Sequence, residues 1–301
     1  THCISSAASD VYKRQLLEND KVFMIFHSTG TAQTAAILPL IKEQRTLLFG
    51  PVTGASVFRE AFNPHVFHVR AGYANEASKI VSQLRQQGIT RVAVFFQDDG
   101  LGKTLAGELK KASEEEKLPF LAEIKVDPKQ PDFAAAAQAT EKVQPQAVIV
   151  ATGGTTFTSY IKAVQATAAR PAYYGFSVAS MDVIQRELRD KARGIILAQI
   201  MPSLRNTTIP VVAEYLSLLR AKSPGAQPSA SQFEGFVHAR LLVEGLRRAG
   251  RNLTTESFSK TMEEAGEIAF GRFSVKYSPR NHNGSTYVEL AIVDAEGSLR
   301  Y

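Results

Sequence analysis

Eight short apolar runs, separated by longer amphipathic stretches, constrain this chain more than any other feature. They are "KVFMIFHS" (21–28), "RTLLFGPV" (45–52), "VFHVR" (66–70), "RVAVFFQ" (91–97), "FLAEIKV" (120–126), "AVIVATG" (147–153), "AYYGFS" (172–177) and "GIILAQI" (194–200). Runs this short and this apolar are what parallel strands look like when both of their faces are covered. The intervening stretches, 31–44, 74–88, 102–117, 132–143, 155–169 and 179–190, carry apolar residues at helical spacing. The alternation predicts an α/β fold with parallel, doubly wound sheets and helices on both faces. After residue 202 the pattern changes to three successive helices, 210–222, 229–249 and 254–265. A terminal pair of strands in "TYVELAIVDAEGSLRY" follows, with its turn at "DAEG". The charge run "ELKKASEEEK" reads as the solvated face of a helix.

A chain of 301 residues suits one large or two medium domains. Its net charge of +6 comes from scattered Lys and Arg, which favours an ordinary basic surface over a nucleic-acid footprint. The single cysteine, Cys3, excludes an internal disulfide. No apolar run approaches the ~18 residues of a membrane span. The leader "THCISSAASDVYKRQ" has neither an apolar core nor a cleavage-site pattern, so it is no signal peptide. It resembles translated adapter sequence, and residues 1–15 are expected to be non-native.

The turn "FHSTGTAQTAA" (26–36) sits between a strand and a helix. It lacks the second glycine and the lysine of a nucleotide-triphosphate loop, and the three spaced glycines of a dinucleotide fingerprint. Ser28, Thr29 and Thr31 offer hydroxyls, Gly30 permits a tight turn, and the next helix offers free N–H groups at its positive end. That set suits a single carboxylate, but read alone the loop is better explained as a helix capped by Thr31. A second loop, "FGPVTGAS" (49–56), repeats the chemistry with Thr53, Gly54, Ala55 and Ser56, and reads as another strand leading into a helix. Ligands of open α/β sheets sit at the carboxyl ends of strands, so the two loops together argue for a site better than either alone. At "FFQDDGLGK" (95–103), Asp98 and Asp99 read as a turn and a helix start. The six histidines show no metal-ligand spacing, and no nucleophilic constellation is present.

Five stretches, in this order, resemble the leucine/isoleucine/valine-binding protein family of ABC transporter substrate-binding proteins. They are "DKVFMIFHSTGTAQTAAILPLIKEQRTLLFGPVTGASVFRE", "VFHVRAGYANEA", "RVAVFFQDDGLGK", "QFEGFVHARLLVEGLRRAG" and "YSPRNHNGSTYVEL", and the likeness spans residues 16–301. The resemblance implies the type I periplasmic binding protein fold, two α/β lobes joined by three crossovers that close on a ligand. The N-lobe would hold 16–70 and 203–287, the C-lobe 71–202 and 288–301, with hinges near 70–73, 201–204 and 285–288. Members begin with a further strand–helix–strand unit before "DKVF", so the chain is expected to be N-terminally truncated, with an exposed sheet edge.

Carried over residue by residue, the resemblance places the ligand's carboxylate on Ser28, Thr29, Thr53 and Ala55, with Thr31 beside them. Tyr73 would supply an aromatic ring, and Leu101 stands where members often carry one. The "GGTT" turn, with Gly154 and Thr155, and the "GFSV" turn, with Ser177, would line the C-lobe side. Amino-acid-binding members have a carboxylate near Ser177 that holds the ligand's ammonium. Serine is neutral, and a buried ammonium without a counter-charge is costly, so organic acids and amides stay open beside branched-chain amino acids. Asp182 could substitute only if its turn bends inward. His27 stands where relatives carry a small residue, either narrowing the cradle or lending it a proton-sensitive charge. The implied function is an extracytoplasmic solute-binding protein serving a membrane permease and ATPase. It would be no enzyme, with no cofactor, no metal and no nucleic-acid partner. The alternative is a ligand-sensing regulator or receptor domain on the same bilobal fold.

Overall fold

The strand Ala147–Ala151 (AVIVA) is buried at every position. Hydrogen-bonded neighbours on both edges and helices on both faces leave it no contact with water. It lies inside a seven-stranded sheet of the computed structural model, which describes residues 14–301. The elements begin with β1 (Met24–Phe26), α1 (Thr31–Glu43), β2 (Leu47–Phe49) and β3 (Val66–Phe67). Next come α2 (Tyr73–Gln86), β4 (Val92–Gln97), α3 (Gly100–Glu115), β5 (Ala122–Val126), α4 (Phe133–Val143) and β6 (Ala147–Ala151). They continue through α5 (Gly154–Gln165), β7 (Ala172–Gly175), α6 (Met181–Leu188) and β8 (Ile196–Gln199). The rest are α7 (Pro210–Lys222), α8 (Ala230–Ala249), α9 (Thr255–Glu264), β9 (Glu267–Phe270), β10 (Phe273–Ser278), β11 (Asn281–Gly284), β12 (Glu289–Val293) and β13 (Leu299–Arg300). The expected leader falls outside the described residues except for Arg14 and Gln15, which lie in a helical stretch that runs to Glu18.

The chain divides into two units. The first holds the residues up to Gly72 together with Met201–Tyr287; the second holds Tyr73–Ile200 and Val288–Tyr301. In the second unit the sheet order is β13-β12-β8-β7-β6-β4-β5. Strands β8 to β5 run parallel, while β12 joins β8 antiparallel, register Leu290 to Ala198, and carries β13 as its hairpin partner. Side chains alternate across a strand. Ala93, Phe95, Val148 and Val150 therefore meet α4, α5 and α6 on one face, where Phe95 stacks on Tyr160 at 3.7 Å. Val92, Val94 and Ile149 are buried on the other, against α3, while α2 covers β8 and β12. Asp99 and Asp132 cap α3 and α4, each accepting a hydrogen bond from a first-turn N–H, those of Gly102 and Ala135.

The first unit has two small sheets instead of one large one. Strands β1-β2-β3 are parallel, and β11-β10-β9 are antiparallel. Leu17, Ile25, Ile37, Leu40, Ile41, Leu48 and Val66 form one apolar cluster. A second group is aromatic: Phe67 stacks on His282 at 3.8 Å, and Phe258 presents an edge to both Phe49 and Phe67. The chain beyond β3 is tied to the β11 segment by His68 N–H on the His282 carbonyl, 2.9 Å, and by Ser285 N–H on Val69, 3.2 Å. The antiparallel sheet was not among the sequence expectations. Its signal is the alternation in "FSVKYS", where Phe273, Val275 and Tyr277 turn inward, and the two-residue Gly271–Arg272 turn that pairs Phe270 with Phe273.

Candidate functional site

Two loops leave neighbouring parallel strands of the first unit and stay in register beyond the sheet. His27 N–H bonds the Phe49 carbonyl at 2.9 Å, Val52 N–H bonds Ser28 at 2.8 Å, and Gly30 N–H bonds Val52 at 3.2 Å. Thr29 and Val52 form a parallel bridge. The two threonine hydroxyls close the pair: Thr31 Oγ1 and Thr53 Oγ1 lie 2.9 Å apart. Thr53 is buried and its hydroxyl also accepts from the Ala55 N–H at 3.3 Å. Ser28, Thr29, Thr31, Thr53 and Ala55 are thus brought to one place, at the carboxyl ends of β1 and β2.

Two sequence expectations about these loops change. Thr31 is not the helix cap: Gly30 occupies that position with φ near 101°, and no side chain caps α1. The Thr31 hydroxyl spans to the second loop instead, and the first-turn N–H groups of α1 receive no capping side chain, which leaves the positive end of the helix open to an anion. The second loop does not start an α-helix. It makes a single 3₁₀ turn, Ser56–Phe58, and the chain is then held by Arg59, whose guanidinium donates to the Thr53, Arg70 and Asn283 carbonyls.

In the second unit, the predicted residues gather at the ends of β4, β6 and β7. Tyr73, buried in the first turn of α2, meets Phe176 edge-on at 6.2 Å. Gly154 and Thr155 open α5 and are exposed. The preceding Gly153 passes so near the Val178 carbonyl that a Cβ there would lie 2.7 Å from it. Leu101, half-buried, follows the Asp99 cap in the first turn of α3. Gln97 ties the set together, donating to Asp99 at 2.8 Å and accepting from Thr156 Oγ1 at 2.8 Å.

Ser177 has a partner that the sequence reading did not place. A carboxyl lies beside it, supplied from α2. Glu76 accepts the Ser177 N–H at 2.7 Å and the Ser177 hydroxyl at 2.9 Å, and it is fully buried. Within the helical pattern "ANEASK" an isolated Glu reads as solvated, and its partner lies 101 residues away, so no local signal marks it. Asp182, the substitute considered from sequence, is exposed in the first turn of α6.

Asp98 is committed to Lys103 at 2.9 Å and Lys125 at 3.3 Å, whose hydrogen bonds hold its carboxyl below the ordinary aspartate range. Among the described residues no three His, Cys, Asp or Glu side chains form a group able to hold a metal. His27 has a left-handed backbone, φ near 56°. Its Nδ1 lies 3.0 Å from Nδ1 of His238 on α8, a contact between residues 211 apart that no spacing could show.

A family model described as "periplasmic binding protein" matches residues 8–298. No curated protein matches the chain. Among solved structures, an extracellular ligand-binding receptor from Verminephrobacter eiseniae aligns with TM-score 0.89 and 24% identity, covering 99% of this chain and 85% of that one. A possible leucine/isoleucine/valine-binding protein from Rhodopirellula baltica aligns with TM-score 0.88 and 24% identity, covering 98% and 81%. A branched-chain amino acid ABC transporter protein from Thermus thermophilus, with bound valine, aligns with TM-score 0.83 and 16% identity, covering 99% and 81%. At these identities the likeness is one of fold, two α/β units built on mainly parallel sheets.

Proposed function

Because the chain belongs to the periplasmic binding protein family, we propose that it is an extracytoplasmic solute-binding protein for a small carboxylate or amide. The candidate ligands are a branched-chain amino acid or a related organic acid. Its partners are the permease and ATPase subunits of an ABC importer, and it carries out no chemistry on its ligand. No described helix is long and apolar enough to cross a membrane.

The observation that carries this reading is the joined pair of strand-end loops. Thr31 and Thr53 share a hydrogen bond at the uncapped start of α1. A carboxylate placed there gains from the helix dipole, worth about 0.3–1 kcal/mol at an exposed terminus and up to about 2 kcal/mol when partly buried. Hydrogen bonds between its oxygens and neutral donors are charge-assisted and stronger than neutral ones. The second unit offers the opposite chemistry. Ser177 gives its hydroxyl proton to Glu76, which also takes the Ser177 backbone N–H. A buried carboxyl of this kind is the counter-charge that a buried ammonium needs. This supports an amino acid or an amide within the ligand class.

The test is a thermal-shift screen against amino acids, amides, and aliphatic and aromatic acids. A ligand at a hundred times its Kd stabilises the native state by about 2.7 kcal/mol, enough to raise Tm measurably. The expected result is stabilisation by one or a few small acids or amides. No response to any of them, with stabilisation by nucleotides or DNA instead, would overturn the reading.

A further inference from the structure

His238 holds both cradle loops through one atom. Its Nδ1 lies 3.0 Å from His27 Nδ1, at the root of the first loop, and 3.2 Å from the Gly50 carbonyl, at the root of the second. A carbonyl only accepts, so the Gly50 contact requires a proton on His238 Nδ1. His27 Nδ1 must then be the acceptor, which places the His27 proton on Nε2. Gly50 has φ near 63°, and a Cβ there would lie 2.7 Å from His238 Nδ1, so the approach is open only to glycine.

We propose that His238 is a positioning residue of the ligand cradle: its single Nδ1–H, shared between His27 and Gly50, sets the spacing of the Ser28–Thr31 and Val52–Ala55 loops as long as His27 is neutral. The proposal rests on the binding reading above only for its consequence for affinity. The charged groups facing the pair are Glu234 on α8 and Arg70 beyond β3. Glu234 Oε1 lies 3.7 Å from His238 Nε2 and 3.3 Å from the Arg70 guanidinium. A second proton on His27 would put two N–H groups nose to nose. The conflict is relieved either by losing the His27 contact or by moving the His238 proton to Nε2, toward Glu234, which loses the Gly50 contact. In both outcomes one loop is released from α8.

The surroundings keep the pair neutral near pH 7. Burial holds His27 below the ordinary imidazole range, with Glu234 opposing and Arg70 adding to the effect. Burial holds His238 well below that range, reinforced by His27 and Arg70 and opposed by the Gly50 carbonyl. As pH falls, His27, the less buried ring, takes the proton first.

The test needs no ligand. Imidazole ¹⁵N shifts of the wild-type protein should show His238 protonated on Nδ1 and His27 on Nε2 at pH 7.5; the opposite tautomers would overturn the proposal. On acidification the backbone amide signals of at least one loop should move with the His27 midpoint, and loop signals that stay fixed through it would overturn the proposal. In His238→Asn an amide N–H takes the place of Nδ1–H and cannot titrate the loops through a tautomer change, so the Val52–Ala55 signals should stay where they are at pH 7.5. His238→Phe should displace both sets at every pH and weaken the strongest acid from the screen about tenfold. Loop signals in His238→Phe that match wild type at pH 7.5 would overturn the assignment. A silent ligand screen with the expected loop shifts would overturn only the binding reading.

Discussion

The two units are built from similar elements but are held together differently. In the second, one seven-stranded sheet buries Phe95, Val148, Val150, Tyr160 and Ile161 in a continuous apolar layer. In the first, which holds two three-stranded sheets, the buried side chains include ionisable groups: His68, Arg70, Glu234, His238 and His282 are all buried. All five described histidines, His27, His65, His68, His238 and His282, belong to the first unit, and the second contains none. Apolar burial does not respond to protons, whereas a buried neutral imidazole does. The same class of architecture therefore gives one unit with no imidazole to titrate in mild acid and one whose buried imidazoles do.

The largest expected effect tests the apolar side of that contrast. Phe95 is fully buried and stacked on Tyr160 at 3.7 Å. Phe95→Ala should destabilise the second unit by about 3–5 kcal/mol through lost transfer energy and the cavity left behind. Urea unfolding should show the same loss at pH 7.5 and pH 5.5. A loss that depends on pH would break the comparison.

Acid tests the other side. Burial lowers the proton affinity of His68 and His238 well below that of the unfolded chain, and that of His27, His65 and His282 by less. Between the depressed folded values and the ordinary value near 6.5, the unfolded chain binds more protons. Stability is therefore full above about pH 6.5 and is lost as pH falls below it. Each imidazole that stays neutral contributes at most about 1.4 kcal/mol per pH unit. The two most buried rings together give a loss on the order of 2 kcal/mol from pH 6.5 to 5.5. Hydrogen exchange should show amides of the first unit losing protection over that range while those of β4, β6 and β7 do not. Equal loss in both units would mean that the histidines do not set the difference.

This contrast also explains what the sequence revealed. Central parallel strands such as β4 and β6 are apolar on both faces, so they stand out as runs, and 91–97 and 147–153 were placed within two residues of the observed strands. At the edge the run 21–28 contains only a three-residue strand, Met24–Phe26, because among the described residues β1 pairs only with β2. In the candidate site, the hydroxyls of Thr31 and Thr53 were visible because small polar residues cluster at strand ends. Glu76 and His238 were not, because their roles come from partners 101 and 211 residues away and their own helices give them no distinguishing neighbours. Local composition marks a turn. It does not mark a polar group whose burial is decided by distant packing.

Ser177→Ala sharpens the comparison within the second unit, where the fully buried Glu76 carboxyl is held by Ser177. The change removes the hydroxyl bond to Glu76 and leaves the backbone N–H bond in place. The expected cost is about 1.5 kcal/mol, at the lower end for a hydrogen bond to a charged group. Binding of an amino acid or amide should weaken, while binding of a plain organic acid at the first unit should change little. Equal weakening of both in calorimetric titrations would show that the Ser177–Glu76 pair does not serve the ligand's N–H group.

Thr53→Val is the smallest perturbation and the most direct test of the cradle. It keeps the side-chain shape and removes the hydroxyl that Thr31 and the Ala55 N–H both use. The Thr31 hydroxyl is only half-buried and can turn to water. The stability cost should therefore be about 1 kcal/mol, the net worth of one such hydrogen bond. Affinity for a carboxylate ligand should fall about tenfold, equivalent to about 1.4 kcal/mol, because the two loops lose the hydroxyl bond that joins them at the start of α1. The first unit should still unfold cooperatively, so a fall in affinity will reflect geometry and not loss of the fold. Unchanged affinity in Thr53→Val, with the stability cost present, would leave the paired loops as a structural clasp and move the carboxylate site elsewhere.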